Sequence, residues 1–184
     1  MLRVSFNLDE GDLQHLADVA QRRQEQARGQ SAEAIIAAAR EVLEKGSQAQ
    51  LADFVRERYS RLRAMLDMIA DADWQLGAED RQRTLNALAC FSAPTAASAT
   101  ALLDDAIMIE LVSRDLQHDL QAYRDFCRQR ESQSGARLAA PGAEREHWLA
   151  QRRETLQARM HQRRKRDLDA AGSTVRRLFS LFGL

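Results

Sequence analysis

Two cysteines, Cys90 and Cys127, in 184 residues are too few for a disulfide framework or a four-cysteine zinc site. Two prolines and eight glycines cannot supply the tight turns of an all-β fold. No apolar run reaches the length of a membrane-spanning helix, and Met1-Leu2-Arg3-Val4-Ser5 lacks the apolar core of a secretory signal. Net charge is missing as well: 27 basic and 27 acidic side chains give a formal charge of zero, which excludes a global cationic field for nucleic acid. A reduced, soluble, cytoplasmic protein is the expectation. The hydrophobic fraction is 45%, but it includes 31 alanines, and large apolar residues make up about 28% of the chain. Alanine and leucine are the best helix formers, so this composition suffices for a helical core. The length suits one domain, or one domain with a small appendage.

Periodicity then lays out the helices. Residues 3–8 alternate Arg3, Val4, Ser5, Phe6, Asn7, Leu8, a period of two that fits a short strand. Leu13, Leu16 and Ala20 follow at helical spacing. Gly29 breaks that helix, and Ser31 with Glu33 opens the next, whose stripe is Ile35, Ile36, Ala39, Val42 and Leu43, with Gly46 as its expected end. Leu51, Phe54, Val55, Leu62, Met65, Leu66 and Ile69 predict a third helix over residues 48–71. Trp74 and Leu76 fall in a connection. Glu79 and Asp80 suit the first turn of a fourth helix, where the dipole favours carboxylates, and Leu85, Leu88, Ala89 and Phe91 form its buried face. A fifth helix starts near Ala101. It is apolar nearly all round to Val112, which predicts full burial of Ile107 and Leu111, and it continues through Leu116, Leu120, Tyr123 and Phe126.

The chain divides by composition into a body (1–131), a linker (132–143) with Gly135, Pro141 and Gly142, and a tail (144–184). Residues 151–184 hold nine basic and three acidic side chains, a net of +6, which leaves −6 on residues 1–150. A neutral total hides an acidic body and a basic tail. The tail's long helix has few apolar anchors: Trp148, Leu149, Leu156, Met160 and Leu168. Such sparse anchoring predicts a helix that stands apart from the body or lies along its acidic surface. Arg163, Arg164, Lys165 and Arg166 form a basic cluster, and Arg176 and Arg177 precede Phe179 and Phe182. A basic cluster joined to an apolar end suits a membrane surface, by cationic attraction and partial insertion. The same apolar face also suits docking on the body or on a partner protein.

The stretch Leu103-Asp104-Asp105-Ala106-Ile107-Met108-Ile109-Glu110-Leu111-Val112, then Arg114, Leu116, His118 and Ala122-Tyr123-Arg124-Asp125-Phe126-Cys127-Arg128, resembles the YkvA-like family, a bacterial domain of unknown function. The likeness covers roughly residues 4–130, through Phe6-Asn7-Leu8, residues 34–40, residues 53–58 and Phe91-Ser92-Ala93-Pro94. The family's hallmark is Pro-x-Asp-x-Ile-Pro-Asp, a glycine-containing loop, then Leu-Asp-Asp opening a hydrophobic helix. Here residues 95–103 replace the acidic part of that motif with a shorter loop of small residues. Asp104 and Asp105 are the signature acids that carry over, with Glu110 following in the same helix. The resemblance implies a helical domain and assigns no reaction.

Asp104, Asp105, Glu110 and His118 are the candidates for a metal or acid–base site. Adjacent helical carboxylates point about 100° apart, and Asp104 lies about 21 Å of helical rise from His118. The aspartates therefore read as helix caps. Glu110 reads either as a buried carboxylate with a raised pKa or as a partner for Arg114 or an arginine from another helix. His15, His118, His147 and His161 lack metal-ligand spacing, and the cysteines suit core positions better than redox ones. No nucleophile elbow or phosphate loop is present. At the N-terminus, strand, helix and Ser-capped helix follow the order of a ribbon-helix-helix DNA-binding module, with Arg3, Ser5 and Asn7 turned to base edges. One arginine is little for phosphate binding, which weighs against nucleic acid.

The expected protein is all-α: a bundle of about five helices with a possible short N-terminal strand and an appended basic C-terminal helix. Its expected role is non-enzymatic interaction, without catalytic residues, metal or cofactor. The expected partner is another protein or a second copy of the chain, with a membrane surface open through the tail. The alternatives are DNA binding through the N-terminal segment and a metal-dependent enzyme using Asp104, Asp105 and Glu110.

Overall fold

A computed structural model describes residues 10–48, 53–92, 99–132 and 142–170. The protein is all-helical over these residues, with seven helices: α1 (Glu10–Gln26), α2 (Ala32–Gln48), α3 (Asp53–Ala70), α4 (Ala78–Ala89), α5 (Ala99–Asp115), α6 (Gln117–Ser132) and α7 (Gly142–Ala170). The expected strand at 3–8 and most of the expected linker lie outside the described residues. No described helix is long and apolar enough to cross a membrane.

Local signals explain the first boundaries. Gly29 adopts φ +84° in the turn after α1, a conformation that glycine enters without steric cost. Ser31 then caps α2, its Oγ accepting from Ala34 N at 3.2 Å. Gly46 does not end α2, contrary to its sequence reading. It is buried within the helix, where a Cβ would collide with the Tyr59 ring. Its missing side chain lets α2 and α3 approach closely. Of the helix expected over 48–71, Gln48 belongs to α2, α3 covers Asp53–Ala70, and residues 49–52 lie outside the described residues.

The α3 helix is central and touches α2, α4, α5 and α6. Leu62, Met65, Leu66, Met68 and Ile69 bury one face of it. Trp74, fully buried in the connection after α3, packs on Tyr123 and Phe126 with ring centroids 5.9 and 5.1 Å away. Ala106, Met108, Ile109 and Val112 bury the inner face of α5, while Ile107 and Leu111 are half-buried. The expectation of full burial for those two was therefore wrong. A helix apolar on all sides still has one side turned away from its neighbours.

The helix expected to run on from Ala101 is divided at Leu116 into α5 and α6. Arg83 Nη2 donates to the Asp115 backbone carbonyl at 2.7 Å beside this division. A side chain that enters the carbonyl ladder is a recognised cause of helix interruption. The last helix, α7, packs along α6. Its Leu149, Leu156 and Met160 join the same buried cluster as α3 to α6.

Two stability measurements check this packing. Ile109→Ala should cost about 2–5 kcal/mol in denaturant unfolding, and Ile107→Ala clearly less. Gly46→Ala gains up to about 1 kcal/mol of helix propensity, but overpacking a buried contact costs about 1–3 kcal/mol. Tyr59 is itself buried, so net destabilisation is expected. An unchanged or raised midpoint would show that Tyr59 can move aside.

Candidate functional site

The arrangement that stands out chemically is a buried seam of charge beneath the end of α7. Leu149, Leu156, Met160 and Arg164 form its inward stripe. Arg164 Nη2 donates to Asp80 Oδ1 on α4 and to Asp119 Oδ1 on α6, both at 2.8 Å. The other oxygen of Asp119 accepts from Arg83 Nη1 at 3.1 Å, and Arg83 Nη2 reaches Asp115 Oδ2 at 2.8 Å. His161 Nε2 lies 2.8 Å from Asp80 Oδ2. The side chains of Arg83 and Asp119 are 1% and 0% exposed.

Three carboxylates thus meet two guanidiniums in a place nearly closed to water. Burial pushes the Asp115 carboxyl up to about 6, against the pull of Arg83, and it pushes Asp119 up as well. Burial acts on Asp80 in the same direction, but His161 and Arg164 outweigh it and hold that carboxyl below its ordinary value. Asp115 Oδ1 and the Nε atoms of Arg83 and Arg164 have no hydrogen-bond partner among the described residues. Such a seam adds little net stability, because desolvation offsets the attraction. It does penalise every arrangement that leaves one partner unpaired. It therefore fixes where α7 sits more than how strongly it holds.

A second set of contacts clasps the α3–α4 connection. Asp71 Oδ1 accepts from Asp73 N at 2.9 Å, and Tyr123 Oη donates to Asp71 Oδ2 at 3.1 Å. Arg130 from α6 pairs with both Asp71 and Asp73. From α7, Arg145 pairs with Asp73 at 3.0 Å, Arg153 donates to the Asp73 carbonyl and Gln157 to the Trp74 carbonyl.

The acids singled out in the sequence go to separate places. Asp104 is exposed, while Asp105 is buried with Arg23 Nη1 at 3.4 Å. Neither caps α5, which begins five residues before Asp104, at Ala99; this corrects their reading as caps. Glu110 pairs with Arg114 at 3.0 Å and with Arg61 and Arg58 of α3 at 2.8 and 3.2 Å. Burial pushes its carboxyl up, but these arginines outweigh it and the pKa falls below the ordinary value. The raised-pKa reading of Glu110 is therefore corrected. Among the described residues, no group of three His, Cys, Asp or Glu side chains is placed to hold a metal. Cys90 is buried, and burial pushes its thiol up to about 12. Burial likewise raises the half-buried Cys127.

Arg164 needs a further correction, because it is buried in the seam and offers nothing to an outer surface. Its neighbours Arg163, Lys165 and Arg166 are exposed. Arg176, Arg177, Phe179 and Phe182 lie outside the described residues, as do Arg3, Ser5 and Asn7. Exposed Arg152, Arg159, Arg163 and Arg166 fall within about 60° of arc and form one row along a flank of α7. Arg152 stacks over the Trp148 ring at 5.8 Å. None of these four, nor Lys165, forms an ion pair among the described residues.

Sequence reasoning did not single out Arg83, Asp115 or Asp119. A signal was available: Asp80 and Arg83, and Asp115 and Asp119, sit three and four residues apart on helix faces that also carry Ala87, Leu88, Leu116 and Leu120. Charges that recur at helical spacing inside an apolar stripe must meet counter-charges when that stripe is buried. Neither a protein-family model nor a curated protein nor a solved structure matches the chain.

The seam separates two adjacent arginines. Arg164→Ala leaves Asp119 with Arg83 alone and Asp80 with His161 alone, each with one buried carboxylate oxygen unpaired, and should cost about 3–5 kcal/mol, whereas Arg163→Ala should stay within about 0.5 kcal/mol. Denaturant unfolding of the full chain measures both, and equal losses would contradict the burial of Arg164.

Proposed function

We propose that the chain is a non-enzymatic helical interaction protein that works at an anionic membrane surface, on the cytoplasmic side. The observation that carries this reading is the exposed arginine row of α7, which has no acidic partner among the described residues and is held in place by the seam beside it. Each cation near an acidic leaflet contributes about 1 kcal/mol. A row of four therefore attracts the protein without anchoring it. The sequence supplies a second element directly after α7: Arg176 and Arg177 beside Leu178, Phe179 and Phe182. Charge plus a short apolar stretch is the pairing that reversible membrane association requires. The resemblance to the YkvA-like family assigns no reaction and no partner. Glu110 and Asp105 take arginine partners, which favours structural roles for them over catalytic ones. Net −6 over residues 1–150 disfavours duplex DNA as the partner, because DNA affinity depends on phosphate neutralisation.

Co-sedimentation of the full chain with vesicles tests the proposal. Vesicles of phosphatidylcholine with phosphatidylglycerol should retain it, and phosphatidylcholine alone should not. Reversing Arg159, Arg163 and Arg166 to Glu should weaken retention at least tenfold, and Phe179→Asp with Phe182→Asp should weaken it independently. Failure to bind the acidic vesicles, or binding indifferent to the arginines, would overturn the reading.

A further inference from the structure

We propose that the seam beneath α7 is a proton-operated latch, in which uptake of one proton at the Asp115 carboxyl tightens the docking of α7 on the body. This does not depend on what the outer flank of α7 binds.

The geometry provides an unequal count of charges. Asp80 from α4, Asp115 at the end of α5 and Asp119 from α6 face Arg83 from α4 and Arg164 from α7. Asp80 and Asp119 are bound on both carboxylate oxygens by cationic or imidazole groups. Asp115 is bound through Oδ2 alone, and its buried Oδ1 has no partner. The surplus negative charge therefore falls on Asp115. A small cavity at this point is lined by Arg83, Asp115 and His118 and by Arg164, Asp167 and Leu168 of α7. Withdrawal of α7 would open this cavity to water.

The sign follows from that exposure. Docked, the Asp115 carboxyl sits at about 6, against an ordinary 3.8. Rehydrated, it returns toward the ordinary value. The protonated form thus favours the docked state, and docking gains as pH falls through 6 and loses as pH rises above it. Asp119 shifts in the same direction. Asp80 shifts the opposite way, and its contribution is lost at pH values below its ordinary 3.8, outside the same window. Two imidazoles also face the region: His118, 2.7 Å from Asp167 of α7, and His161, 2.8 Å from Asp80. Any test must separate them from Asp115.

Amide hydrogen exchange on the full chain, corrected for intrinsic rates, reads the docking of α7 directly. Between pH 7.5 and 5.0, protection of α7 amides between Leu149 and Lys165 should rise about tenfold, the ratio expected for a carboxyl moving from about 6 to its ordinary value on opening. Asp115→Asn should remove this dependence, and a His118→Gln, His161→Gln double variant should keep it. A dependence that persists in Asp115→Asn but vanishes without the imidazoles would assign the effect to histidine and overturn the proposal. Titration of the Asp115 carboxyl by carbon NMR supplies a measurement independent of any variant. A midpoint near 6 is expected, and a midpoint below about 4.5 would also overturn it.

Discussion

A guanidinium leaves water at tolerable cost when carboxylates are already in place to receive it. Arg164 meets that condition through Asp80 and Asp119, and much of the molecule's arrangement is tied to the meeting. Asp119 is held for it by Arg83, and Arg83 in turn binds the Asp115 carbonyl where α5 gives way to α6. The position of α7 along α6, the break between α5 and α6, and the orientation of the flanking arginine row thus share one chain of ion pairs. The apolar contacts of α7 are few, with Leu149, Leu156 and Met160 buried. They provide adhesion that is tolerant of sliding. The ion pairs supply the register, since a slide of one turn would leave several buried charges unpaired.

The helical class was legible because it rests on properties spread over many residues: abundant alanine and leucine, scarce glycine and proline, and long stripes at a period of 3.6. Single-residue boundaries were legible where the cause was local, as with Ser31 capping α2 and Glu79 and Asp80 opening α4. They were misread where the cause lay elsewhere in space. Gly46 looks like a helix terminator until Tyr59 is placed against it. The α5–α6 break has no glycine or proline to announce it and is marked by a side chain 32 residues away in sequence.

The candidate site was legible in part for the same reason. The basic cluster at 163–166 was evident as charge, but the sequence could not say that its second member turns inward while the others stay out. That division depends on which residues face Asp80 and Asp119, which are separated from Arg164 by 84 and 45 positions. The candidate acids Asp104, Asp105 and Glu110 share a helix. Its rotation sends one to solvent, one to α1 and one to α3. Neighbours in sequence do not become neighbours in chemistry.

The separation of Arg164 from its partners also has a consequence for synthesis. A ribosome that adds about 5–20 residues per second takes a few seconds to travel from position 119 to position 164. During that interval Asp119 has Arg83 as its guanidinium partner, Asp80 awaits Arg164, and the Trp74 carbonyl awaits Gln157. Among the described residues α7 is thus the last helix made, and its Arg164 completes ion pairs whose other members were laid down seconds before.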